Sequence, residues 1–383
     1  MKNNLYEYVN WLENKALPYW STLAIDELGS SYEKINANGE PDITSDRRVR
    51  VQTRQMFVFS VGHKLGWIKN GFSLVSGLEN YISKYAKKPG AIHYAHLLNY
   101  QHEIINDDQD LYDIAFLLLA YGWRYHVFND LNALNAANEL LSQIDKQLKD
   151  SPGGWSEGSY ETKFRRQNPH MHLFEAFLTL YKFTNNAKWL AKAGEVYCLF
   201  ETCFMDLEQG VVYEFFSKNW EKAACDKGNT VEPGHMMEWV WLLRQYQKYT
   251  QAPVDKICNI LYHNALKLGL DENSGLLLDE INIKTLVSSG TKRCWPMTEW
   301  LKASLAQAEY EKASTYNYLQ DADQAASGIL THFIRSTAQG AYVDQLDKNN
   351  DVINDTAPAS TLYHLVMAGV EVLPLIKELS HAS

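Results

Sequence analysis

Apolar positions recur with helical period along almost the whole chain. Runs such as "HMHLFEAFLTLYKF", "GHMMEWVWLLRQY", "MTEWLKASLAQAEY" and "ASTLYHLVMAGVEVL" place large apolar side chains three and four residues apart, on one helix face. The pattern predicts twelve helices in six pairs. These are 5–17 with 51–66, 69–86 with 112–127, 130–148 with 169–183, 187–204 with 233–249, 254–268 with 296–313, and 315–335 with 358–378. Segments such as "GGWSEGSY", "GVVYEFF", "GLLLDEINI" and "GAYVDQLD" fall between the two helices of a pair. They suit short hairpins and are too short and too few for a main sheet.

The pairs keep a beat. Pro169, Pro233, Pro296 and Pro358 stand just ahead of helical runs, spaced 64, 63 and 62 residues apart. Proline is favoured at a helix start, where its missing N–H costs nothing. Gly29, Gly90, Gly154, Gly210, Gly275 and Gly340 follow at gaps of 61, 64, 56, 65 and 65. A helical pair cannot bury its apolar face alone and must stack on its neighbours. Six such units predict an all-α (α/α)6 barrel, one domain over residues 1–383, with short hairpins in the connecting loops. An open solenoid is the alternative, and a closed ring accounts better for six units.

Composition narrows the class. The chain has 383 residues, 46% hydrophobic and 13% aromatic, ample for a large core. A formal charge of −10 argues against nucleic acid or an anionic membrane surface as partner. The first twenty residues lack a basic segment followed by an apolar run, so no signal peptide is expected. No stretch is expected to reach membrane-spanning length. Five scattered cysteines without a CxxC read as reduced thiols, and the expected compartment is the cytoplasm.

Each second helix carries one polar or aromatic group that a core does not need. These are Arg54, Tyr112, His172, His235, Glu299 and His364, at steps of 58, 60, 63, 64 and 65. If the second helices are the inner ones, these groups meet at one end of the barrel. Asn168 reads as the N-cap of its helix, with Pro169 first inside and His172 on the same face. His170 points about 200° away from His172, so the two do not form a chelate. His235 and Glu238 are three apart, and a carboxylate beside a histidine orients it and raises its basicity. Trp295 and Glu299 share a face. Taken singly, each motif has an ordinary explanation: a helix-start ion pair, an aromatic staple, a core histidine bonded to a carbonyl.

Tryptophans suit the C–H faces of a sugar. Histidines suit proton abstraction beside a carbonyl, and Arg54 suits the oxygen of an enediolate. No P-loop, dinucleotide fingerprint, GxSxG or HExxH occurs. Glycoside hydrolysis is the rival, with Glu238 and Glu299 as its carboxylates, but it leaves the histidines without a role. A non-catalytic sugar-binding barrel is a third class.

"RRQNPHMHLFEA", "EPGHMMEWVWLL", "WPMTEW" and "TLYHL", in that order, resemble the N-acylglucosamine 2-epimerase superfamily. The resemblance spans Arg54 to His364. It implies an (α/α)6 barrel and isomerisation or epimerisation at C2 of a reducing sugar, with no metal and no other cofactor. It implies His235 and His364 as the acid/base pair. Arg54, Tyr112, Asn168, His172, Glu238, Trp295 and Glu299 are then substrate-binding groups. The chain lacks extra loops for a disaccharide and any nucleotide motif. The segment before PGH carries Lys222 and Lys227 but no arginine, which points away from a sulfonated sugar. The expectation is an aldose–ketose isomerase acting on D-mannose and D-fructose, also on D-lyxose and D-xylulose. A sugar 2-epimerase or a sulfoquinovose isomerase is the alternative. The expected partner is the monosaccharide alone, and the expected state a monomer or homodimer.

Overall fold

A computed structural model describes residues 2–91, 93–334 and 339–381. Helix α1 runs Lys2–Trp11, widens into a π-turn at Leu12–Ala16 and continues as Leu17–Leu23. Then follow α2 (Val49–Leu65), α3 (Gly71–Tyr85), α4 (Leu111–Phe128), α5 (Leu131–Gln147) and α6 (Asn168–Thr184). The second half holds α7 (Ala187–Leu199), α8 (Pro233–Thr250), α9 (Asp255–Gly269), α10 (Cys294–Tyr310), α11 (Tyr318–Gly328) and α12 (Ala359–His381). Helices α7 and α11 end in π-turns at Phe200–Phe204 and Ile329–Ile334. Every predicted helix is present.

The even-numbered helices contact one another in cyclic order, and α12 closes onto α2. This is the inner ring, made by the second helix of each pair. Its helices are buried nearly all round, as α2 is from Val49 to Gly62 apart from Arg50. The odd-numbered helices pack outside and bury one stripe. Helix α5 buries Ala133, Ala137, Leu140, Leu141 and Ile144, the spacing of a single face. Burying each such large side chain contributes roughly 1.5–3 kcal/mol. Helix α12 corrects one expectation, because its Ala359–Glu378 stretch is apolar and long enough to cross a membrane. Here 61% of that stretch is buried, packed against α1, α2 and α10.

The hairpins form a second ring at one end of the barrel. The strand ahead of each inner helix pairs with the loop of the next unit. Arg47–Arg48 pairs with Leu97–Leu98, Arg165–Arg166 with Phe215–Phe216, Thr230–Val231 with Ile281–Asn282, and Lys292–Arg293 with Gln345–Leu346. A single bridge, Asp110 to Gly158, serves unit two. Ala357–Pro358 pairs back to Lys34–Ile35 and seals the last unit to the first. All six marker glycines turn these loops with φ between +67° and +86°, a region that glycine enters without strain.

One helix start differs from the sequence reading. Asn168 lies inside α6 and does not cap it, since Gln167 precedes the helix. The Gln167 side chain is held by Glu214 and Trp239, so Asn168 turns into the barrel mouth. Asp110 does cap α4, accepting the N–H groups of Tyr112 and Asp113. Such a cap is typically worth about 1 kcal/mol.

Candidate active site

A cavity of about 320 Å³ opens at the hairpin end of the inner ring. Every inner helix supplies one wall: Arg54 from α2, Tyr112 from α4, Asn168 and His172 from α6, His235 from α8, Trp295 from α10, His364 from α12. Five of the six repeat positions therefore converge on it, and on α10 Trp295 takes the place in the wall expected of Glu299. Glu238 and Glu299 are fully buried and do not reach the cavity surface. They lie beneath it and act on the histidines.

Trp295 packs against two histidine rings, 5.0 Å from His235 and 5.5 Å from His364 between centroids. Gly234 makes room for it. A Cβ at Gly234 would lie 2.6 Å from the indole, which no real contact tolerates.

Below His364 lies a buried charge relay. Glu299 Oε1 holds His364 Nδ1 at 2.8 Å, and Glu299 Oε2 meets the Lys302 ammonium at 2.6 Å. Glu299 and Lys302 are completely enclosed. Burial opposes the Glu299 charge, but Lys302 and then His364 outweigh it and hold the carboxyl below its usual range. Glu175 and Glu238, buried nearby, are pushed up by loss of water. One cation thus faces one anion, with two neighbours driven toward the neutral form. Burial takes the His364 value down to about 3 against the pull of Glu299. Its Nδ1–H donates to Glu299, which leaves Nε2 as an unprotonated base toward the cavity.

His235 is held the other way. Its Nδ1 lies 3.0 Å from Glu214 and 3.5 Å from Glu232. Burial works against its charge, yet Glu214 and Glu232 override it and push the ring up to about 10. Glu232 itself is raised by burial to about 7. Glu238 was expected to orient His235. It instead approaches His172, 3.8 Å away, while Glu175 holds His172 Nδ1 at 3.2 Å. Burial, then Arg54, drives the His172 ring well below its ordinary value. Arg54 is fixed by bonds to Tyr112 Oη (2.7 Å) and the Ser360 carbonyl (3.1 Å). His170 points away, as the helix geometry requires, and accepts the Trp155 N–H at 3.0 Å.

Sequence reading missed several groups. Arg48, Glu232, Arg293 and Asp344 also line the cavity, and Lys302 and Glu214 support it from behind. A signal existed. Five of the six marker glycines are followed three or four residues later by an acid: Glu33, Glu157, Glu214, Asp279 and Asp344. In units one, three and five that acid clamps an arginine just ahead of the inner helix, as Glu33–Arg48, Glu157–Arg166 and Asp279–Arg293. Ahead of α8 the arginine is replaced by Glu232, so Glu214 turns to His235. The arginines thus reach the mouth from other units. Lys222 and Lys227, singled out from the sequence, lie over Tyr213 and Phe215 and do not line the cavity.

Three side-chain groups here are close enough to share an ion: His172–Glu175–Glu238, Glu214–Glu232–His235 and Glu238–Glu299–His364. In the last, the Lys302 ammonium already meets Glu299 and supplies the positive charge.

The N-acylglucosamine 2-epimerase (GlcNAc 2-epimerase) family profile matches residues 30–368. The mannose-6-phosphate isomerase of Rhizobium meliloti (strain 1021) is 31% identical over 380 residues, covering 97% of each chain. Among solved structures, a D-mannose isomerase superposes with a TM-score of 0.85 at 20% identity, over 98% of each chain. Cellobiose 2-epimerase from Bacillus thermoamylovorans B4167 gives 0.84 at 18%, over 96% of this chain and 99% of that one. These likenesses establish the (α/α)6 barrel.

Proposed function

The chain belongs to the N-acylglucosamine 2-epimerase family, whose members are sugar epimerases and isomerases, and from that premise we propose that it is an aldose–ketose isomerase interconverting D-mannose and D-fructose. The observation that carries the reading is the opposed charge setting of His235 and His364, two rings packed against the same Trp295. A 2-epimerase moves a proton between the two faces of C2, so its two groups exchange acid and base roles and work best with matched pKa values. This pair is far from matched. Environments that push two groups apart assign them separate tasks.

His364 Nε2 takes the C2 proton of the open-chain aldose. The C2–H electrons form the C1=C2 bond, and the former carbonyl O1 becomes the enediolate oxygen. The fixed charge of Arg54 stabilises that oxygen. His364 returns the proton to C1 on the same face, while His235, neutral once it has given its proton to O1, takes the O2 proton and C2 becomes the carbonyl. His235, a cation at neutral pH, donates to O1 and to the ring oxygen during opening. Trp295 offers its face to the sugar, and Asn168, Tyr112 and His172 hold hydroxyls. The similarity to a mannose-6-phosphate isomerase and to the D-mannose isomerase structure supports a mannose-configured substrate. D-Lyxose and D-xylulose fit the same scheme. The reaction is proposed to need no metal, and activity should survive exhaustive chelation. The proposed setting is cytoplasmic.

Mannose in D₂O tests the reading. The early product should be fructose carrying deuterium at C1, diluted by direct transfer. Glucose appearing first with deuterium at C2 would make the protein a 2-epimerase.

A further inference from the structure

We propose that Arg48 and Arg166 form an anion site beside the sugar cavity, taking a phosphate ester carried at the far end of the substrate. The inference rests on the isomerase reading above and names its substrate class as a hexose phosphate.

A second cavity of about 520 Å³ adjoins the first and shares Arg48, Arg54, Tyr112 and Asn168 with it. The first cavity is about the size for one sugar ring. Whatever the sugar carries away from C1 and C2 therefore has this chamber to enter. Its lining holds four guanidinium groups, from Arg48, Arg50, Arg54 and Arg166, against a single carboxylate, Asp110. Asp110 is already engaged by Tyr112 N–H, Asp113 N–H and the Tyr160 hydroxyl. In a chain of formal charge −10, this concentration of cations is a local reversal.

The balancing acids stay behind the wall. Glu33, Glu157 and Asp113 are buried and absent from the chamber surface. Glu33 grips Arg48 through Nε and Nη2, and Glu157 grips Arg166 in the same way. Among the described residues neither Nη1 has a partner. Each clamp thus fixes a planar guanidinium and leaves one edge toward the chamber, the preorganised donor geometry that suits phosphate oxygens. A neutral second sugar would call for aromatic platforms. The lining holds no tryptophan, and of its two tyrosines the Tyr112 ring is covered by Arg50 and Arg54 while Tyr160 is held at its hydroxyl by Asp110.

The test compares kcat/KM for mannose 6-phosphate and for mannose, in the intact enzyme and in Arg166→Gln and Arg48→Gln. The intact enzyme should favour the phosphate ester, and inorganic phosphate should compete with mannose. Each substitution should lower the ratio of the two constants by roughly 10- to 100-fold, the value of a charge-assisted contact. A general loss of folding lowers both constants and leaves the ratio, so the phosphate competition on the intact enzyme stands as a separate arm. Equal use of both sugars with no competition by phosphate overturns the site and leaves the isomerase reading standing. Conversion of neither sugar overturns both.

Discussion

His235 and His364 both pack against one indole, yet their surroundings do opposite things. Both are buried, and burial alone would neutralise both. On the His235 side two carboxylates lie close, and the cation that acts on Glu232, Arg293, is itself clamped by Asp279, so the ring keeps a proton. On the His364 side the carboxylate is already spent on Lys302, so it orients the ring without charging it. One added lysine separates an acid from a base. The lesson is that the counter-ion of the partner, and not the partner itself, sets the state of each histidine.

The strongest way to break this comparison is to remove each ring. His235→Asn and His364→Asn should each lower turnover by ~10²–10⁴-fold, the usual contribution of a general acid or base. Only His364→Asn should also stop exchange of the C2 proton with solvent, followed by NMR in D₂O. Persistent exchange in that variant would take carbon chemistry away from His364.

Lys302→Met comes next. It strands Glu299 without its cation, and breaking a buried pair costs about 3–5 kcal/mol. Urea unfolding should show a loss of that size. An unchanged midpoint would mean that the ammonium contributes nothing to holding Glu299 charged.

The third prediction sharpens the contrast through pH. His364 must be neutral and His235 protonated, so kcat/KM should stay level between limbs near about 3 and about 10. Stability follows different signs. The raised value of His235 gives stability that is full below 6.5 and lost as pH rises through about 10. The depressed value of His364 takes stability away as pH falls below 6.5 toward about 3. Glu214→Gln should draw the alkaline limb of the rate profile down toward 6.5, while Glu299→Gln should leave that limb in place. An alkaline limb unmoved in Glu214→Gln refutes the assignment.

The smallest effect on rate belongs to His170→Asn. This ring faces Trp155 and the loop, so kcat should hold while stability falls by about 1–3 kcal/mol for the unpaired Trp155 N–H. A collapse of kcat with intact circular dichroism would place His170 in the chemistry.

Much of this was legible in the chain. The apolar period located twelve helices, and five of the six even steps from Arg54 to His364 located residues of the cavity wall, with Glu299 lying behind it. Local geometry also separated His170 from His172. What spacing could not show were contacts made across the ring. Glu238 sits three residues from His235, but helix packing turns it toward His172 on α6. Glu214 reaches His235 from a hairpin, and Glu299 reaches His364 from the neighbouring helix. Asn168 has the right type for a cap, and tertiary contacts at Gln167 shifted the helix start by one residue. Periodicity finds which residue faces inward and is silent on which inward residue it meets.

The seam between the last unit and the first has a consequence for synthesis. Tyr8 donates to the Leu365 carbonyl, Gln55 to that of Ala359, and Arg54 to that of Ser360, each across more than 300 residues. An array with free ends can be functional while it is still growing. Here Arg54, on the first inner helix, is anchored by the last helix of the ring. A nascent chain therefore carries five-sixths of the wall and no working pocket, and competence arrives in one step when the ring shuts.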